Sequence, residues 1–382
     1  MKPAKQQSAT MDEQTFVPDT MRALYWSPAS TAILDGASLD TQRVDSEMAF
    51  DTDFPTPKPS PSQYLIKVQT AAFSHDELRL ANALNPSKSI PQVPVHNFCG
   101  TVISTPTEDH LKPDGPDFKV DDIVFGLIDY SQDGAAADYV LATKDEIALK
   151  PRNISAAEAA TIPLPALTAW QALFKYAGIG SINCNGNRRK DLRVLITNAH
   201  GSEVGTQCLH LLRSKDLFPN YRPWICATCA CPEAASKVHQ FSAVDETIII
   251  PDPVPNDFDL QGVFRKNKWA AVDLVLDCTG QDILHQSSNP TIVKDGGAVL
   301  SAVDANPVLN INPKKSDGTP QAQFVHVAPD GETLGLIGKM VEENTVHGRV
   351  ETVVDLVNGA EFLSSNAGVD SKGGIFVFRV NP

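Results

Sequence analysis

Three groups of residues in this chain have types and spacings suited to chemistry. The first is Ala199-His200-Gly201-Ser202-Glu203-Val204-Gly205, which joins an apolar, strand-like segment (192–197) to a helix-like one (204–214). Glycines in a strand-to-helix turn let the backbone approach an anion. The helix N-terminus then offers N–H groups and the positive end of its dipole to a phosphate. Glu203 runs against that use, because its carboxylate suits the helix dipole but repels a phosphate. The second group is the histidines His75, His96 and His200, with Asp76 beside the first. Imidazoles titrate near neutral pH, so these are the natural proton handlers. The third is Cys226, Cys229 and Cys231. A zinc knuckle needs four ligands, usually in two separated pairs. Cys226 also falls inside the apolar run 224–227, so these read as strand and loop cysteines.

The elements that must position these groups follow from composition and periodicity. The chain has 382 residues, 42% of them hydrophobic, which is ample for a large core and allows two or three domains. A net charge of -14 argues against nucleic acid or an anionic membrane as partner. No apolar run is long enough to span a bilayer. The first 20 residues lack an apolar signal core and read as a disordered leader. With no signal peptide, the seven cysteines read as reduced thiols in a cytoplasmic protein.

From residue 21 to about 150 the text is β-rich. Runs at 23–26, 64–68, 100–103 and 122–125 alternate with proline and glycine turns, and 54–61 holds four prolines. Ser155 and Glu158 have the spacing of a capping box. Helical text follows, broken at Pro163 and Pro165. After a polar loop at 181–191 the period changes. Strands at 192–197, 223–228, 246–250, 272–277 and 298–303 alternate with helices at 204–214, 232–241, 258–266 and 281–292. Such alternation predicts a doubly wound parallel sheet. Helices are expected at 331–343 and 351–362, and a last strand at 374–380.

Several ordered segments resemble one family. Residues 94–100 (PVHNFCG), 118–126 (FKVDDIVFG), 134–140 (GAAADYV), 159–173 (AATIPLPALTAWQAL) and 273–280 (DLVLDCTG) are similar to signatures of the zinc-free medium-chain dehydrogenase/reductase superfamily. The likeness is to its quinone oxidoreductases and fungal trans-acting enoyl reductases, and it covers about residues 21–382. It implies an α/β fold: a GroES-like β-rich domain plus a Rossmann-type doubly wound parallel sheet domain. The domains would be 21–155 with 327–382, and 156–326. Phe73 stands where zinc-dependent relatives carry a cysteine, and Asn97 follows His96 where they carry a glutamate, so the resemblance implies no zinc.

The resemblance also implies a zinc-independent, NADPH-dependent reductase of a conjugated C=C, an enoyl or quinone-like small molecule of secondary metabolism. Its catalytic candidates are His75, Asp76, Thr168 and Tyr130; for Thr168 the competing reading is a helix back-bond. Its cofactor candidates are His200, Gly201, Ser202, Glu203 and Val204 in the turn, Thr228 and Cys229 after the second strand, and Cys278 and Thr279 after the fourth. The second strand ends without an acidic residue for a ribose 2′-hydroxyl, which favours NADP(H) over NAD. The turn departs from the family's glycine pattern, keeping in place only its last glycine, Gly205. Two alternatives therefore stand beside the reductase. One is a non-redox enzyme that has lost its dinucleotide and dehydrates, isomerises or cyclises a polyketide- or terpenoid-like substrate. The other is a non-catalytic binding protein. A homodimer or monomer is expected, with 323–327 as a candidate edge strand.

Overall fold

The structure is a computed structural model that describes residues 16–28, 46–74, 91–111, 115–180, 191–242, 244–305, 322–366 and 375–381. His75 and Asp76 lie outside the described residues, as do the first 15 residues of the leader and most of the 181–191 loop.

The N-terminal half forms β1 (Thr20–Pro28), β2 (Ser46–Pro55), β3 (Tyr64–Ser74), β4 (Asn97–Ser104), β5 (Ile123–Leu127), β6 (Tyr139–Ala142) and β7 (Ile147–Leu149). Two helices come next, α1 (Ala156–Ala160) and α2 (Pro163–Trp170). Ser155 and Glu158 make the predicted reciprocal capping box on α1. The helical text breaks just before Pro163, which opens α2, while Pro165 does not interrupt that helix. Both fall in its first turn, where the N–H they lack has no intrahelical partner anyway. A π-helical turn, Gln171–Tyr176, follows directly.

The next segment alternates as expected: β8 (Arg193–Ile196), α3 (Glu203–Arg213), β9 (Trp224–Cys229), α4 (Pro232–Ser242), β10 (Glu246–Ile249), α5 (Leu260–Asn267), β11 (Val272–Asp277), α6 (Gln281–Ser287), β12 (Val293–Ser301) and β13 (Ala322–Phe324). All six strands pair in parallel, in the order β10-β9-β8-β11-β12-β13. Counted within this sheet the order is 3-2-1-4-5-6, that of dinucleotide-binding sheets. β11 is buried at every position, as a strand covered by helices on both faces must be.

The chain closes with α7 (Gly331–Glu342), β14 (Val350–Asp355), α8 (Gly359–Asn366) and β15 (Ile375–Arg379). Residues 350–355 are therefore a strand where a helix was expected, and α6 ends at Ser287, short of 292. The second sheet runs β14-β15-β3-β4-β5-β7, with β6 also on β3. β15 pairs antiparallel with β3, so the last strand enters the sheet of the N-terminal half. Among the described residues no helix is long and apolar enough to cross a membrane.

Candidate cofactor and active site

The turn after β8 is built by local bonds. Asn198 takes a left-handed φ of 47°. Its N–H donates to Thr228 Oγ1 at 2.8 Å, and the Ala199 N–H donates to the Thr228 carbonyl at 3.0 Å, so the turn is tied to the end of β9. A Cβ on Gly201 would stand 2.2 Å from Asn198 Oδ1. Ser202 caps α3 by accepting from the Gly205 N–H at 3.3 Å. A Cβ on Gly205 would meet Ala199 Cα at 3.0 Å, so this glycine lets α3 lie close against the turn. That is the role of the third glycine in a dinucleotide turn.

A second knot joins the ends of β8, β11 and β12. The Asp277 carboxylate is fully buried and accepts from Thr197 Oγ1 and Ser301 Oγ, each at 2.9 Å. It also accepts from the Thr279 N–H at 3.2 Å and the Gly280 N–H at 3.1 Å. Burial pushes its carboxyl up, against the pull of these donors. The Cys278 N–H in turn donates to Thr197 Oγ1 at 2.8 Å.

The expected cofactor residues thus come together around the C-terminal ends of neighbouring strands. His200, Gly201, Ser202, Glu203 and Val204 form the turn and the start of α3. Thr228 touches that turn, and Cys278 and Thr279 join it through Thr197 and Asp277. Cys229 is buried beside Thr228, and its carbonyl accepts from the Ile250 N–H at 2.8 Å, toward β10. Burial pushes its thiol up to about 11.

Glu203 is the first residue of α3 and is only 8% exposed. Its Oε1 accepts no hydrogen bond. The nearest cation is Arg349, whose Nη1 stands 4.0 Å away and also donates to the His200 carbonyl at 3.4 Å. Burial pushes the Glu203 carboxyl up to about 7, against Arg349 and with help from Glu351. Burial, with Arg349 and Lys237, lowers His200. Sequence reading placed Glu203 correctly but missed Arg349, which reaches the turn from the approach to β14. The helix dipole alone favours a carboxylate at this position, so nothing in the local sequence called for a cation from far along the chain.

The catalytic candidates sit on other elements. Thr168 is buried in α2, and its hydroxyl donates to the Leu164 carbonyl at 2.7 Å, the back-bond that competed with a catalytic role. The Leu164 N–H donates to Asn97 Oδ1 at 2.7 Å, so β4 pins the start of α2. The Tyr130 ring lies 4.2 Å from the ring of His96. Its loop is held by the Glu146 carboxylate, which accepts from the Asp129 N–H at 2.8 Å and Gln132 Nε2 at 2.7 Å.

At the position where zinc-dependent relatives carry cysteine, the Phe73 ring stacks on Phe378 at 5.1 Å. It has no lone pair for a metal. Asn97 is committed to Leu164. Among the described residues no group of three or more His, Cys, Asp or Glu side chains could hold a metal ion.

A parallel sheet with a tight turn at its first strand end stands beside a β-rich sheet that the last strand re-enters, and the strand order of the first is that of dinucleotide-binding sheets. No protein-family model matches the chain. The chain is 30% identical over 309 residues to "Probable zinc-binding oxidoreductase, mitochondrial" of Arthroderma benhamiae, covering 79% of this chain and 84% of that one. It is 26% identical over 356 residues to 2-methylene-furan-3-one reductase of Solanum lycopersicum, covering 92% and 76%. The quinone oxidoreductase of Coxiella burnetii shares the fold, with a TM-score of 0.63 at 21% identity, over 94% of this chain and 99% of that one. The chain belongs to the medium-chain dehydrogenase/reductase superfamily, a superfamily of oxidoreductases.

Proposed function

We propose that the chain is a zinc-independent, NADPH-dependent reductase that saturates a C=C conjugated to a carbonyl, in an enone or quinone-like small molecule. One observation carries this reading. The glycine turn and the N-terminus of α3 lie at the end of β8, beside β11, where the strand order of the sheet reverses. In open α/β sheets that crevice is where a dinucleotide binds.

The turn residues His200, Gly201, Ser202, Glu203 and Val204 would hold the pyrophosphate, with Thr228 and Cys229 toward the adenosine and Cys278 and Thr279 toward the nicotinamide. The bound cofactor supplies a hydride. The protein's part is to orient the substrate, exclude water and place a proton donor near the developing charge on the carbonyl oxygen. Tyr130 and His96, with His75 and Asp76, are the candidates for that part, the Thr168 hydroxyl being spent on the Leu164 carbonyl. NADPH is favoured over NADH because β9 ends in Thr228-Cys229 with no carboxylate, while Lys237 and Arg349 lend positive field to the turn. Zinc independence rests on the Phe73 ring and the committed Asn97. The domains in this reading are 21–155 with 327–382, and 156–326. The short strand β13 is the edge through which two copies would pair if the protein is a homodimer.

A second reading, a non-redox enzyme in a vacated site, draws on one feature: a buried carboxylate in the turn itself.

Steady-state turnover tests the first reading. Purified protein with NADPH and a panel of α,β-unsaturated ketones and quinones should consume NADPH only when such a substrate is present. The product should be saturated at the former C=C, and a chelator should leave the rate unchanged. A folded protein that binds NADPH but oxidises it with none of these substrates would overturn it.

A further inference from the structure

The approach to β14 delivers one cation to the nucleotide turn. Arg349 stands between the Glu203 carboxylate and the His200 carbonyl, and its side chain is 40% exposed while that of Glu203 is 8% exposed. Its guanidinium therefore lies against the turn while part of its side chain remains open to solvent. Its hold on Glu203 is loose: 4.0 Å is the outer edge of an ion pair, and Glu203 Oε1 accepts no hydrogen bond. A guanidinium so placed forms a better pair with a phosphate, which it can meet with two parallel N–H groups.

We propose that Arg349 is a phosphate-binding residue of the dinucleotide site, and that Glu203 holds it at the turn until the cofactor's phosphates dock, when Glu203 takes a proton from solvent. The proposal rests on the dinucleotide reading above.

The sign follows from the groups around Glu203. Arg349 and Glu351 face it from the approach to β14, the first opposing and the second favouring its protonation. On its own turn stands His200, kept toward neutral by burial, Arg349 and Lys237. Next along α3, Gln207 Nε2 donates to the His347 carbonyl at 2.7 Å, and burial with His347 lowers His210 to about 4. His200 and His210 are thus held toward the neutral form, and Glu203, pushed up to about 7, changes charge within the range where NADPH would be titrated. A docked phosphate adds negative charge and draws Arg349 away from the carboxylate. Both effects favour the protonated form. By reciprocity, affinity is highest below pH 7 and falls as pH rises through it.

The experiment is calorimetric titration of the full-length protein with NADPH from pH 6 to 8.5, in two buffers of different ionisation enthalpy. Wild type should lose about tenfold in affinity across this range and take up a fraction of a proton near pH 7.5. In Glu203→Gln the uptake should vanish and the profile should keep only the ligand's own titration. Arg349→Gln should weaken NADPH at least about tenfold at every pH, the worth of one charge-assisted phosphate contact. Arg349→Lys, which keeps the charge but not the paired N–H contact, should fall between wild type and Arg349→Gln, and unchanged melting curves of both variants exclude misfolding as the cause. Unchanged affinity in Arg349→Gln, or identical pH profiles in wild type and Glu203→Gln, overturns the proposal alone. A folded wild type that binds no NADPH at any pH overturns the dinucleotide reading, and the proposal with it.

Discussion

Asp277→Ala should lower the melting temperature by about 6 °C or more, the shift expected for about 3 kcal/mol in a domain of this size. The carboxylate is fully buried and joins three strands of the parallel sheet at the end where the cofactor would lie. Removing it leaves the hydroxyls of Thr197 and Ser301 and the N–H groups of Thr279 and Gly280 without their acceptor. Each buried donor stranded in this way costs about 1–3 kcal/mol, so even partial rearrangement of the hydroxyls leaves a large loss. Asp277→Asn keeps the volume but turns an amino group toward donors. It should fall between wild type and Asp277→Ala. Calorimetric melting of the three proteins checks the order, and a melting temperature unchanged in Asp277→Ala would remove Asp277 as the hub of this edge.

Gly205→Val should damage both stability and cofactor binding. A Cβ here already meets Ala199 Cα at 3.0 Å and the Ala199 carbonyl oxygen at 3.2 Å, and both are backbone atoms that cannot swing aside. A branched side chain must push α3 off the turn, at about 1–3 kcal/mol for overpacking. The N-terminus of α3 moves with it, so NADPH affinity should fall more than tenfold, beyond about 1.4 kcal/mol. Gly205→Ala should show the same pair of effects at smaller size. Loss of stability with NADPH affinity intact would separate α3 from the cofactor site.

How much of this was legible in the sequence depended on how local the signal was. The strands of the parallel sheet are continuous apolar runs because helices cover both faces, and 272–277 was read to the residue. The capping box at Ser155 and the start of α3 at Glu203 are equally local, written within four residues of chain. β14 was misread because its burial does not alternate: it lies at the sheet edge, with three of its six residues exposed and the other three half-buried. The break expected at Pro165 failed for a positional reason, since a proline in the first helical turn has no bond to lose. Arg349 was invisible for a different reason. It lies 149 residues from His200, in a stretch with no motif, and it reaches the turn through long-range contacts such as that of Gln207 with the His347 carbonyl. The knot around Asp277 was half legible: the segment 273–280 marked the strand end, but the partners Thr197 and Ser301 come from other strands.

The central claim is that the turn after β8 still binds a reduced nicotinamide dinucleotide, despite the carboxylate of Glu203. Fluorescence titration of the folded protein with NADPH and NADH tests it most directly. Saturable NADPH binding at micromolar levels, with NADH at least about tenfold weaker, is the predicted result and corresponds to a preference of about 1.4 kcal/mol. No binding of either nucleotide, by protein whose melting curve shows it folded, would contradict it and leave the non-redox reading of the fold in its place.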